Sequence, residues 1–504
     1  MARAKQLLTY NLITFGLAVF LAFNFTPTVS AASFTVTKTA DTNDGACDAD
    51  CSLREAITAA NALPGADTII LPASTYTLSL AGTGEDANAT GDLDITDDLT
   101  LNGAGAASTF IDGDDIDRVI EVRPGAAVNI DAVTVKDGDP GANAGGILNR
   151  ATLTLTHSVI TSNTGLDFGG GLFNFGTLTL IDTTVDDNDT IGPNLSGGGG
   201  GIFNQGTLNL TATTVSANTT LGRGGGIYNL DQTATFTNTT ISGNTGLNGG
   251  GIFNRFGTLN LTHTTTTDNT ATDNAGGVWN FGGSTNLTNT IVAVNSAATA
   301  SDDCAGAMTS LGYNLASDFS CALAGTGDLN NTNPLLGPLA NNGGPTQTHA
   351  LLPLSPALDA VPLASCILAT DQRGVPRPQG IACDIGAFEL PVLTIDIKPG
   401  SYPNSINSKS KGTIPVAILS TPGFDAPNQV DQTSLTFGHS GTETSLAFCS
   451  PSPEDVNADG FPDLVCHFST LNCGFIVGDT QGILKGSTIG GIPIEGRDSV
   501  RIVR

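Results

Sequence analysis

The sequence predicts an all-β chain whose body is a right-handed parallel β-helix, with a short N-terminal capping helix and a C-terminal β-sandwich-like domain. Three observations lead there. Glycine makes up 63 of 504 residues while aromatics are only 6%, so the core has to be built from small and aliphatic side chains. Between about residues 145 and 296 the chain repeats itself: Gly-Gly-Ile-Leu-Asn149, Gly-Gly-Leu-Phe-Asn174, Gly-Gly-Ile-Phe-Asn204, Gly-Gly-Ile-Tyr-Asn229, Gly-Gly-Ile-Phe-Asn254 and Gly-Gly-Val-Trp-Asn280, at spacings of 25, 30, 25, 25 and 26. A second asparagine column (Asn163, Asn188, Asn218, Asn244, Asn269, Asn295) keeps step, and most units carry Thr-Leu-x-Leu between the two, as at Thr207 to Leu210. Two columns in register mean one structural unit per period.

Residues 1–32 read as a secretory signal: Arg3 and Lys5, an apolar run from Leu12 to Phe25, then small residues that set cleavage after Ala31 or Ala32. No later stretch has the roughly 18 consecutive apolar residues of a membrane span. Nine cysteines in an exported chain point to disulfides, and clustering pairs Cys47 with Cys51, Cys304 with Cys321 and Cys366 with Cys383, leaving the pairing of Cys449, Cys466 and Cys473 open. A zinc site lacks CxxC pairs and nearby histidines. With 19 basic against 47 acidic residues the net charge is −28, which repels a phosphate polymer and disfavours nucleic-acid binding, while it suits divalent cations.

Residues 33–65 form the expected N-terminal cap. Ser52 and Glu55 make a capping box, and Leu53, Ala56, Ile57 and Ala60 give a short helix one apolar face. The run Cys51-Ser-Leu-Arg-Glu-Ala56 resembles the CSLREA domain, which in exported bacterial proteins precedes β-helix repeats. The repeats are assigned to 66–325. A unit of about 25 residues with three short strands cannot bury its own apolar side, so it stacks on copies of itself about 4.8 Å apart. Leu153/Leu155, Leu178/Leu180, Leu208/Leu210 and Leu259/Leu261 are expected to face inward, and the asparagine columns to bond up and down the stack at turns whose left-handed backbone asparagine tolerates. The extra residues around 191–197 read as a protruding loop.

Residues 326–390 are expected to cover the far end of the array. Asn342-Gly-Gly-Pro-Thr-Gln-Thr-His349, Asp371-Gln-Arg-Gly374-Val-Pro-Arg-Pro378 and Cys383-Asp-Ile-Gly-Ala-Phe-Glu389 are similar to the choice-of-anchor Q domain, and with the CSLREA resemblance this covers roughly 34–390. That family implies a secreted or surface-displayed protein; none of its usual sorting tails is recognisable here. Asp371, Arg373, Arg377 and Glu389 read as ion pairs folding a loop, in preference to a catalytic cluster. Residues 392–504 change pattern and read as a separate β domain. Within it Asp455, Asn457, Asp459 and Asp463, with Gly460 at the turn, supply oxygen ligands at alternate positions, as structural calcium requires. Cys466 stands where an EF-hand has glutamate, and the loop is more similar to those of thrombospondin type 3 and FG-GAP repeats. The acidic loop Asp41 to Asp50 is a weaker calcium candidate.

Two functions compete on this scaffold. The first is a non-catalytic, adhesin-like module of a secreted or cell-surface protein that binds a polysaccharide or a matrix component. The column Phe173, Phe203, Tyr228, Phe253 and Trp279 is either packing or a strip that stacks on sugars. The second is a polysaccharide lyase or glycoside hydrolase, which needs acids and a base on adjacent rungs. The repeats offer only Arg150, Arg223 and Arg255, no lysine lies between Lys136 and Lys398, and Asp186 and Asp187 face Thr161-Ser162 and Ser216-Ala217 on the neighbouring rungs. No catalytic residue is assigned, and the first reading is preferred.

Overall fold

In the computed structural model, which describes residues 31–503 apart from 300, 353, 422 and 423, the repeats form a parallel β-solenoid of about nine turns. The expected signal segment lies, except for its last two residues, outside the described residues. Alternating stretches such as Thr152–Thr156, Thr177–Ile181 and Thr207–Thr211 pair in register within an 11-stranded first sheet, so Leu153, Leu178 and Leu208 stack, as do Leu155, Leu180 and Leu210. These leucines are fully buried, each contributing about 1.5–3 kcal/mol. A nine-stranded second sheet runs from Leu93–Ile95 to Cys304–Ala305, and a ten-stranded third from Ser74–Thr77 to Leu315–Ala316.

Where three strands per unit were expected, six rungs carry a fourth, mostly two residues long, as at Thr164–Gly165 and Asp189–Thr190. It leads into the Gly-Gly pair, where rungs approach too closely for a side chain: a Cβ on Gly171 would sit 2.8 Å from the Gly201 carbonyl. Both asparagine columns are hydrogen-bonded ladders, Asn149–Asn174–Asn204 at 2.7 Å per step and Asn188–Asn218–Asn244 at 2.9 Å. The left-handed position, however, belongs to the residue before the second column, Ser162, Asp187, Ala217, Gly243 and Asp268, with φ between 53° and 67°. The asparagines themselves turn inward, where their amides satisfy the turn carbonyls.

Helix α1 (Leu53–Asn61) has the expected capping box and buries Leu53, Ala56, Ile57 and Ala60 on the first rungs. It is pinned by Arg54, fully buried, which pairs with Asp41 at 2.7 Å and donates to the Gly91 and Asp92 carbonyls. At the far end Leu323 and the Cys304–Cys321 disulfide close the core.

Residues 326–332 cover the last rung, Leu329 exchanging backbone hydrogen bonds with Asn314 and Ala316, but the residues from about 340 to 390 do not. They run along the outer face of the third sheet, where the strands present Thr214, Thr240 and Thr265 in place of charges. The Thr214 hydroxyl donates to the Gln347 carbonyl at 2.6 Å, that of Thr240 to Gln372 at 2.7 Å, and the Ala387 N–H donates to the Thr265 hydroxyl at 3.0 Å. Arg373 pairs with Asp371 and Arg377 with Glu389, both at 2.7 Å and buried, and the Arg373 guanidinium lies over the Phe388 ring, so these residues fold the strap. Beyond it, two four-stranded sheets enclose a separate core that includes Val416, Phe437, Phe468 and Leu484. The three expected disulfides are present; Cys449–Cys466 is the fourth, leaving Cys473 free and buried. Among the described residues no helix is long and apolar enough to cross a membrane.

Candidate functional site

Strands of the second sheet are three or four residues long except the last, and in each of these the residue between two inward-facing ones points out. In register these outward residues are Asp94, Glu121, Leu148, Phe173, Phe203, Tyr228, Phe253 and Trp279. One continuous column thus begins with two carboxylates and continues as an aromatic ladder. Two positions further along each rung lies a second outward row that includes Arg123, Arg150, Phe175, Gln205, Leu230, Arg255 and Phe281.

The ladder does not offer the sugar-stacking strip considered above. Phe173, Phe203, Tyr228 and Phe253 are 7% exposed or less, because successive rings pack edge-on at 4.7–5.0 Å and neighbouring loops cover them. Phe168 lies 4.6 Å from Phe203, and Arg223 lies over Phe253. Trp279 is half-buried. The accessible rings are in and beside the second row: Phe175 is 41% exposed, Phe281 45% and Phe256 54%. Guanidinium groups sit over two of them, Arg150 over Phe175 at 5.3 Å and Arg255 over Phe256 at 5.4 Å.

The acidic end of the column is a network that the sequence reading missed. Glu121 accepts from Arg123 at 2.9 Å and from Arg150 at 2.8 Å, and Arg118 lies 3.4 Å away. Arg118 also pairs with Asp92 at 2.9 Å, and Arg123 grips both oxygens of Asp86 at 2.7 and 2.8 Å. Burial, reinforced by Asp92 and Glu121, pushes the Asp94 carboxyl up to about 7; burial outweighs Arg118 at Asp92 and raises it to about 6. Asp94 is fully buried and Glu121 4% exposed, so neither carboxyl reaches a glycosidic oxygen outside. The available signal was the short strands Leu93-Asp94-Ile95 and Ile120-Glu121-Val122, which follow the repeat alternation without its Gly-Gly and Asn marks.

The other candidates have simpler settings. Asp186 pairs in register with Thr161 and Ser216, so no carboxylate faces it from the adjacent rungs. Ser242 and His349 are 2.8 Å apart, with the other His349 nitrogen on the Gly337 carbonyl, but both side chains are sealed beneath the strap. In the C-terminal loop Asp455, Asn457 and Asp459 surround the turn at Gly460: Asp455 and Asn457 accept from the Asp459 and Gly460 N–H groups, and Asp459 accepts from the Phe461 N–H and the Asn457 amide. Asp463 is buried, one oxygen accepting from the Ser420 N–H and the other from the Val456 N–H within the loop. Asp41 and Asp50 are held by Arg54 and Lys38, which leaves that loop short of free ligands.

No protein-family model matches the chain, and no curated protein matches it significantly. Among solved structures it is similar to the pectate lyase Pel9A, also a β-helix, at 14% identity and a TM-score of 0.40, over 72% of this chain and 97% of that one.

Proposed function

We propose that this is an exported or cell-surface β-helical module that binds a polysaccharide along the outer face of its second sheet without cleaving it. The observation that carries the reading is the exposed row of Phe175, Phe256 and Phe281 interleaved with Arg150 and Arg255 on one flat side. Rings stack on sugar faces, guanidinium groups pair with acidic substituents, and rungs about 4.8 Å apart let weak contacts add along a polymer. The strap lies on the third sheet between Thr214 and Asn289, and the second sheet is the side that carries these exposed rings and guanidinium groups. Four disulfides fit an oxidising compartment. The resemblance of residues 34–390 to CSLREA and choice-of-anchor Q proteins supports secretion or surface display, and the oxygen-rich loop at Asp455, Asn457 and Asp459 supports calcium as a stabiliser of the C-terminal domain.

A second reading, a polysaccharide-cleaving enzyme, is favoured by one observation: acids and arginines do meet on adjacent rungs, at Asp92, Asp94 and Glu121. Its difficulty is that the loop carrying Asp86 encloses them. Co-sedimentation of the purified chain with acidic and neutral polysaccharides in calcium, with assay of new chain ends, separates the two. Binding without cleavage, weakened about tenfold by Phe175→Ala/Phe281→Ala through the loss of roughly 1 kcal/mol or less per ring, is expected. Retention unchanged in that double variant overturns the binding face. Chain ends that disappear in Glu121→Gln establish the enzyme.

A further inference from the structure

Asp86, Asp94 and Glu121 each bring a carboxylate oxygen to within 4.8 Å of the other two. Acids gathered in this way are common on a chain of net charge −28; what sets this group apart is Asp94. Its side chain is fully buried, Oδ2 accepts the Asn88 N–H at 3.2 Å, and Oδ1 has no hydrogen-bond partner at all. A buried carboxylate oxygen without a donor is costly unless a cation or a proton meets it. The nearest mobile cation falls short of it: Arg123 bridges Asp86 and Glu121 through Nη1 and makes no hydrogen bond to Asp94.

We propose that Asp86, Asp94 and Glu121 form a site for a hard divalent cation, calcium in the first instance, and that the ion takes the place now held by the Arg123 guanidinium. Three carboxylates from two rungs and a loop give an all-oxygen set, and water from the open side beside Asp86 completes the six to eight ligands that calcium takes. Arg123 can leave because its side chain is 25% exposed and belongs to the outward row, so rotation into solvent disturbs no core packing. Glu121 keeps Arg118 and Arg150 when Arg123 goes. The site is independent of the 455–463 loop and of the glycan reading.

The test is calorimetric titration of calcium chloride into the full-length chain carrying Asp455→Asn/Asp459→Asn, which silences the C-terminal loop. One binding event is expected. Asp86→Asn, a change in a side chain 62% exposed and safe for folding, should weaken it by about tenfold or more, and Asp94→Asn should abolish it. Arg123→Gln should tighten it about tenfold, because the competing cation is gone. Absence of binding in both the parent and Arg123→Gln overturns the site, as does binding that Asp86→Asn leaves unchanged. Equal affinity with and without Arg123 overturns the displacement.

Discussion

Replacing Asn218 by alanine removes one step of an interior ladder whose worth can be worked out bond by bond. Asn218 is fully buried. Its Oδ1 accepts from the Asn188 N–H at 3.1 Å and the Asn188 amide at 2.9 Å; its Nδ2 donates to the Val185 carbonyl at 3.0 Å and to Asn244 Oδ1 at 2.9 Å. After truncation the Asn188 amide keeps the Ile160 and Asp186 carbonyls, and Asn244 Oδ1 keeps the N–H of residue 218. The Asn188 N–H keeps nothing. One stranded buried donor costs about 1–3 kcal/mol and each of the other three bonds about 0.5–1.5, so a loss of about 2.5–7.5 kcal/mol is expected. Urea unfolding followed by circular dichroism measures it, and hydrogen exchange should show lost protection at residue 188 and the turns beside it. Asn218→Asp keeps the shape but sets an acceptor against Asn244 Oδ1, and should be no milder. A loss below about 1 kcal/mol for the alanine variant would refute the ladder as a source of stability.

Arg54→Ala should cost about 3–5 kcal/mol, since it leaves Asp41 buried without its counter-charge and strips two carbonyls; a fall in Tm too small to correspond to 1 kcal/mol would show that the cap does not depend on it. Burial, helped by Arg377, pushes His263 down to about 3, against about 6.5 unfolded, so its contribution is complete above pH 6.5 and is lost as the pH falls towards 3. From pH 7 to pH 5 that amounts to about 2 kcal/mol, and His263→Gln should flatten the stability profile there; parallel profiles would refute the assignment.

Much of the fold was legible because the repeat encodes it redundantly. Gly-Gly, the outward aromatic and Asn recur at fixed distances, and Ser52 with Glu55 marks the start of a helix locally. Legibility failed where structure depends on what covers a face. Alternation places Phe203 and Tyr228 outside the core, but their burial comes from Phe168, Arg223 and the ring-on-ring packing of the ladder, and period-2 patterning does not report these. The course of the strap was hidden for a similar reason: Thr214, Thr240 and Thr265 look like ordinary solvent-side threonines until Gln347, Gln372 and Ala387 are brought to them. The acid network escaped because its rungs precede the recognisable motifs. There Asp94 and Glu121 occupy positions that later rungs give to leucine and rings, and their arginine partners come from neighbouring positions and rungs.

The strap also decides how the molecule answers force. A pull through the C-terminal domain does not first reach the last rung, where coils would peel away one after another. It enters sideways, through contacts that grip rungs from Thr214 to Asn289. Those contacts lie on several rungs at once, so a load carried by the strap is shared along the flank of the rod.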